Sequence, residues 1–122
     1  MVNNRSTGTY YEDKAADYLT SKNVDLIERN YRCRMGEVDL IGRDTEDGQN
    51  CLVFFEVKYR TTGECGSAAE AVGRAKQKKI CHVCDFYRMM KGVSDDMQIR
   101  FDVVAIDGEE ITWIRNAFQY TR

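Results

Sequence analysis

Three carboxylates and a lysine interrupt two otherwise apolar segments: Glu37 and Asp39 in GEVDLIGRD, and Glu56 and Lys58 in CLVFFEVKYR. Both segments have the length and the β-branched and aromatic content of strands. Alternation therefore puts Glu37, Asp39 and Ile41 on one face of the first, and Leu52, Phe54, Glu56 and Lys58 on one face of the second. If the two form a hairpin over residues 45–50, with Asp44 opposite Cys51, the same register sets Asp39 opposite Glu56, their Cβ atoms about 5 Å apart. Two carboxylates so placed repel each other. A hard divalent cation removes that cost, because Mg2+ is typically held by one or two carboxylates together with waters and substrate phosphate. Lys58 projects from the same face about 7 Å along the strand from Glu56, within reach of a hydrolytic water or a phosphate. These residue types in this pattern suit phosphodiester hydrolysis. A plainer reading makes Glu56 and Lys58 a salt bridge where the strand leaves the core, and a register slip of one residue turns Asp39 to the opposite face.

The rest of the chain supplies elements able to hold such a pair. Residues 6–21 read as a helix, with Tyr11, Ala15, Tyr18 and Leu19 on helical spacing and Asn23 as a stop. DLIERNYRC reads as a strand separated from EVDLIGRD by Met35 and Gly36, TEDGQN as a polar turn, and CLVFFEVKY as a central strand covered on both faces. After the loop TTGECG, Ser67 with Glu70 makes a capping box that opens a second helix. Its buried stripe is Val72, Ala75, Ile80, Val83, Cys84 and Tyr87, and Gly92 follows its end. QIRFDVVAI and EITWIRNAF are two further strands around an Asp107-Gly108 turn. The order is αβββαββ: an α/β fold with a mixed sheet flanked by helices.

With 122 residues, 43% of them hydrophobic, the chain suits a single domain with a real core. It has no 18-residue apolar run, and MVNNRSTGTYYEDK lacks the layout of a secretory signal, so the expected location is the cytoplasm, with no membrane partner. Five cysteines at irregular intervals suit a reducing compartment. A net charge of −2 excludes a uniformly basic nucleic-acid binder and leaves room for a local basic groove.

The segments GTYYEDKAADYL, RNYR, GEVDLI, VFFEVKYR, KQKKI and RFDVVAI…ITWIRNAF together resemble the small bacterial family called YraN-like. That family is similar to archaeal Holliday junction resolvases of the PD-(D/E)XK nuclease superfamily. The resemblance runs from Gly8 to Phe118 and implies a restriction-endonuclease-like fold. It also implies an endonuclease that uses Mg2+ or Mn2+ on branched or structured DNA, in the setting of DNA repair and recombination. On this resemblance Asp39 and Glu56 match the metal ligands, Val57 offers a backbone carbonyl, and Lys58 matches the catalytic lysine. Glu12, on the first helix, matches a glutamate that often completes the site. Lys76 and Gln77 match positions that contact phosphate or brace Lys58. The familiar proline before the first acid is absent, Val38 standing there. A homodimer is expected, since symmetric substrates are met most simply by two-fold protein symmetry.

Several of these residues carry a second reading. Glu12 lies three positions after Thr9 and suits a capping box, although Ala15, Ala16 and Leu19 put it beside the apolar face. Glu37 reads equally as an accessory ligand or as a partner of Arg34. Asp102 shares a face with Val104 and Ile106 and reads as a structural pairing. Arg74, Lys76, Lys78 and Lys79 form the wet side of a helix, or else, joined by Arg29, Arg32, Arg34 and Arg60, line a groove for DNA backbone. Such a domain is either a nuclease or a DNA-binding module of the same fold without turnover of its own. CHVC raises a third function, a thiol or zinc site on Cys81 and Cys84 with His82 and Cys65 as additions, against burial of Cys84 on the apolar stripe.

Overall fold

The computed structural model describes residues 4–48, 50–60 and 72–121. Along them run α1 (Asn4–Ser21), β1 (Asp25–Cys33), β2 (Gly36–Asp44), a 3-10 turn (Glu46–Gly48), β3 (Cys51–Arg60), α2 (Arg74–Lys91), β4 (Gln98–Asp107) and β5 (Glu110–Phe118). This is the expected αβββαββ order. The strands make one mixed sheet in the order β1-β2-β3-β4-β5, antiparallel throughout except for the parallel β3-β4 pair. A parallel pair needs a crossover rather than a tight turn, and α2 lies between these two strands in the chain. The capping box of Ser67 and Glu70 lies outside the described residues; α2 starts at Arg74 behind an extended Gly73. No helix among the described residues is long and apolar enough to cross a membrane.

Both helices stop in the same way. Asn23, at φ 70°, donates its N–H to the Thr20 carbonyl while Val24 donates to Leu19. Gly92, at φ 62°, does the same to Met89 while Val93 donates to Arg88. Each pair of bonds satisfies carbonyls that the last helical turn leaves open, and each uses a residue that tolerates left-handed backbone.

The helices cover opposite faces of the sheet. α1 packs Ala15, Ala16 and Leu19 on Leu40, Val53, Phe55, Val57, Val104 and Ile106. α2 packs Ile80, Cys81, Val83, Cys84 and Tyr87 on Val38, Ile41, Leu52, Phe54 and Phe101. β3 is therefore buried on both sides, which explains its unbroken apolar run; each large side chain there contributes about 1.5–3 kcal/mol. The stripe of α2 differs from the expected one at its start. Ala75 is exposed, because counting back one helical turn from Ile80 reaches Lys76 instead. A lysine thus occupies the N-terminal position of the buried stripe.

Candidate active site

The β2-β3 hairpin has the expected register, with Leu40 facing Phe55, Ile41 facing Phe54 and Asp44 facing Cys51. The paired ladder ends at Leu40 and Phe55, one step short of Asp39 and Glu56. There the Val57 N–H donates instead to Asp39 Oδ2 at 2.8 Å. On the other flank β1 pairs Arg29 with Leu40 and Tyr31 with Val38, and Asn30 between them takes a left-handed φ of 53°. Val38 and Ile41 both join the α2 cluster although they stand three positions apart, so strict alternation fails around Asp39. Asp39 consequently lies in a fork between strands, where it meets the charges of both Lys76 from α2 and Glu12 from α1.

Glu56 is 3% exposed. Its Oε2 lies 3.2 Å from Lys76 Nζ and 3.8 Å from Lys58 Nζ. Its Oε1 is buried and, with both acids ionised, meets no donor among the described residues. The Asp39 and Glu56 carboxyls lie within hydrogen-bond reach of each other, and a bond between two carboxyls requires a proton. Burial first, then the Glu56 charge and that shared bond, push the Asp39 carboxyl up to about 7, against the Val57 N–H and Lys76. Burial opposes the charge on Lys76, but Glu56, Asp39 and Glu37 outweigh it and hold the ammonium above the ordinary lysine range. A buried carboxyl raised toward neutrality beside a second carboxylate, one of whose oxygens is buried and faces no donor among the described residues, fits a hard divalent cation. Among the described residues no three His, Cys, Asp or Glu side chains converge as a metal-holding group. The role visible for Val57 is that of its N–H, which fixes Asp39.

Glu12 is half-buried on α1. Burial raises its carboxyl, the Asn30 side-chain hydrogen bond opposes this, and the Asp39 charge adds to the rise. Its capping-box reading fails because α1 begins at Asn4, which leaves Thr9 and Glu12 inside the helix. Asn30 was not among the expected site residues. The signal for it was an asparagine inside a strand pattern, a residue type that tolerates left-handed backbone. Glu37 pairs across the hairpin with Arg32, Nε to Oε2 at 2.8 Å, rather than with Arg34; Arg32 is its register partner, whereas Arg34 lies in the exposed turn.

The basic cluster does not form one wet face. Lys76 turns inward to Glu56. Lys79 lies against Gly36, with its Cβ 3.7 Å from where a glycine-borne Cβ would stand. Arg74, Gln77 and Lys78 share a cavity with Gln119, Tyr120 and Thr121, and the Gln77 amide donates to the Val72 carbonyl at 3.0 Å, bracing the start of α2 rather than Lys58. Arg60 ends β3 and accepts the Gly108 N–H through its carbonyl at 3.0 Å.

On β4, in register with Phe55, fully buried Asp102 is a structural acid. It accepts Arg100 Nε at 2.9 Å and Nη2 at 2.8 Å, Trp113 Nε1 at 2.8 Å and the Asn116 N–H at 2.9 Å. Arg100 also reaches Asp44 at 2.8 Å. The CHVC cysteines are core residues: Cys81 and Cys84 are buried in the α2 cluster beside exposed His82. Burial raises both thiols, Cys84 to about 12, which removes the thiolate that redox or zinc chemistry needs. Cys65 lies outside the described residues.

A family model described as "Uncharacterised protein family UPF0102" matches residues 11–106. A UPF0102 protein of Lachnoclostridium phytofermentans is 41% identical over 117 residues, covering 96% of each chain. One of Aliivibrio salmonicida is 44% identical over 118 residues, covering 94% of this chain and 93% of the relative. One of Fusobacterium nucleatum is 37% identical over 115 residues, covering 94% and 92%.

Proposed function

The chain belongs to the uncharacterised protein family UPF0102, and we propose that it is a divalent-metal-dependent endonuclease of restriction-endonuclease-like fold acting on branched or structured DNA. The observation that carries this reading is the Asp39–Glu56 pair, two carboxyls held within hydrogen-bond reach just past the end of a ladder, with a buried Glu56 oxygen that faces no donor among the described residues. A pair kept for stability alone would be better served by apolar side chains of similar size.

Asp39 and Glu56 would hold Mg2+ or Mn2+, with the Val57 carbonyl as a backbone ligand. Such a cation supplies charge neutralisation at phosphate and makes water a better nucleophile near neutral pH. The protein's own groups set the geometry. The Val57 N–H fixes the Asp39 rotamer, and Lys76 occupies Glu56 Oε2, leaving Oε1 to the fork. Lys58, with a side chain 29% exposed, lies 3.8 Å from Glu56 Oε2, where its charge offsets the negative charge that grows on phosphate during attack. Glu12 and Asn30 buttress the fork from the α1 side. Lys79 and Arg34 near the β1-β2 turn, with Arg60 and Arg74, are the proposed contacts to DNA backbone. A homodimer would present two such sites to a two-fold symmetric junction, in a cytoplasmic setting.

The test is a cleavage panel of four-way junction, flap, single strand and duplex with Mg2+ or Mn2+, comparing wild type with Glu56→Ala. Cutting by wild type and none by the variant supports the reading. The convergence of only two acidic side chains among the described residues favours a second reading, a DNA-binding module without turnover of its own. Binding of the panel without cutting by wild type would establish that one.

A further inference from the structure

We propose that Tyr59, Tyr11 and Tyr10 form a stacking platform for an unpaired base of single-stranded DNA beside the carboxylate fork. The proposal rests on the nuclease reading for what brings DNA to this end of the sheet, and not on the chemistry of the metal. Tyr59 follows Lys58 on β3, and Tyr11 precedes Glu12 on α1. Their rings lie parallel, with centroids 4.1 Å apart and an interplanar angle of 10°. Tyr10 meets Tyr11 edge-on at 5.1 Å, and Lys14 Nζ stands 5.4 Å from the Tyr10 centroid.

Packing alone does not account for this arrangement. The α1 side of the sheet already has Phe55, Val57 and Ile106 for core, yet Tyr59 is left 41% exposed and Tyr10 54% exposed. An aromatic whose inner face rests on another ring and whose remaining surface meets water is a pre-ordered stacking site, since the side-chain entropy is already spent in the free protein. Lys14 places a cation over Tyr10, so positive charge accompanies the rings as a phosphodiester backbone requires. Aromatic faces in a basic setting take bases of any identity. A base inside duplex has its faces covered by its neighbours and cannot use the platform. The platform therefore selects DNA with unpaired nucleotides next to the bond that is cut, such as a flap, gap or frayed branch, over continuous duplex.

Fluorescence anisotropy in chelator tests this, with a labelled oligothymidylate of about twelve nucleotides and a blunt duplex of the same length. Wild type, Tyr59→Phe, Tyr59→Leu and Tyr10→Ala are compared, with thermal melts to confirm folding. Tyr59→Leu keeps apolar bulk and loses the π-face, and Tyr10→Ala serves should it fail to fold. The expected result is retention by Tyr59→Phe, a roughly five- to hundredfold loss of single-strand affinity in Tyr59→Leu, a smaller loss in Tyr10→Ala, and duplex affinity within about twofold of wild type. The proposal is overturned by no single-strand binding in wild type, by Tyr59→Leu or, should that variant not fold, Tyr10→Ala binding single strand like wild type, or by equal losses on single strand and duplex. A metal-dependent cleavage arm separates the two readings. Tyrosine-dependent binding without cutting keeps the platform and removes the nuclease, while cutting with tyrosine-independent binding does the reverse.

Discussion

Lys76 Nζ lies 3.2 Å from Glu56 Oε2, closer than Lys58 Nζ at 3.8 Å, although Lys58 stands two residues from Glu56 on the same strand. The closer cation of the buried carboxylate therefore comes from α2, and Lys58 is the more distant one. The two lysines should separate in their effects. Removing Lys76 leaves Glu56 with a more distant cation, so Lys76→Met should cost about 2 kcal/mol, below the full cost of breaking a buried pair because the ammonium is partly solvated and Lys58 remains. Urea unfolding checks this, and an unchanged midpoint would remove Lys76 from the site.

Lys58→Met should cost less than about 1 kcal/mol, because its ammonium lies farther from Glu56 and the closer Lys76 remains. It should nevertheless abolish cleavage while DNA binding persists, because a charge that acts on the developing phosphate anion contributes in the transition state rather than in the bound ground state. Parallel anisotropy and cleavage measurements decide the point. Cutting at the wild-type rate by this variant would show that the chemistry is wrongly assigned.

The strands and the hairpin register were legible because β3 is an unbroken apolar run, β2 matches it in strand-like composition, and Asp44 and Cys51 bound a short polar turn. Both helix stops were legible from Asn23 and Gly92. What the sequence did not reveal follows from tertiary placement. The inward turn of Lys76 is visible only once α2 is phased from Ile80, and Ala75 looked the more natural apolar residue. Arg32 rather than Arg34 faces Glu37 because pairing across β1 and β2 is set by the turn at Arg34 and Met35. The break in alternation at Asp39 depends on the left-handed Asn30, which has no periodic signature. The CHVC cysteines resolve as core because both lie on the side of α2 that meets the sheet.

Salt dependence should divide the basic residues along the same lines. If Lys79 neutralises a backbone phosphate, Lys79→Ala should reduce the slope of log K against log salt by about 1. Lys76 is already engaged by Glu56, so Lys76→Met should change the slope by clearly less. Equal slope losses for both would mean that Lys76 leaves Glu56 for phosphate when DNA binds. No loss for Lys79→Ala would remove it from the DNA surface.

Replacing Asp39 distinguishes a metal-holding pair from a structural ion pair. In chelator, the Asp39 carboxyl titrates near 3.8 when unfolded and is pushed to about 7 when folded. Below the first value both states hold the proton, and above the second neither does. Between them the folded state holds a proton that the unfolded state has released, so unfolding releases it and stability falls as pH rises from about 4 to about 7. Asp39→Asn keeps an oxygen for the Val57 N–H and abolishes this slope. At pH 8 in chelator it should therefore be more stable than wild type, on the order of 2 kcal/mol once coupling to neighbouring charges is allowed for. Added Mn2+ should raise the wild-type melting temperature and barely move the variant, since stabilisation by a ligand requires binding to the folded state. A structural salt bridge predicts the reverse: loss of the Asp39 charge would cost roughly 3 kcal/mol or more and leave the metal response intact. Scanning fluorimetry of both proteins, with chelator and with Mn2+ at pH 5 and pH 8, separates the cases. A destabilised Asp39→Asn that keeps the whole Mn2+ shift would sink the metal-site reading.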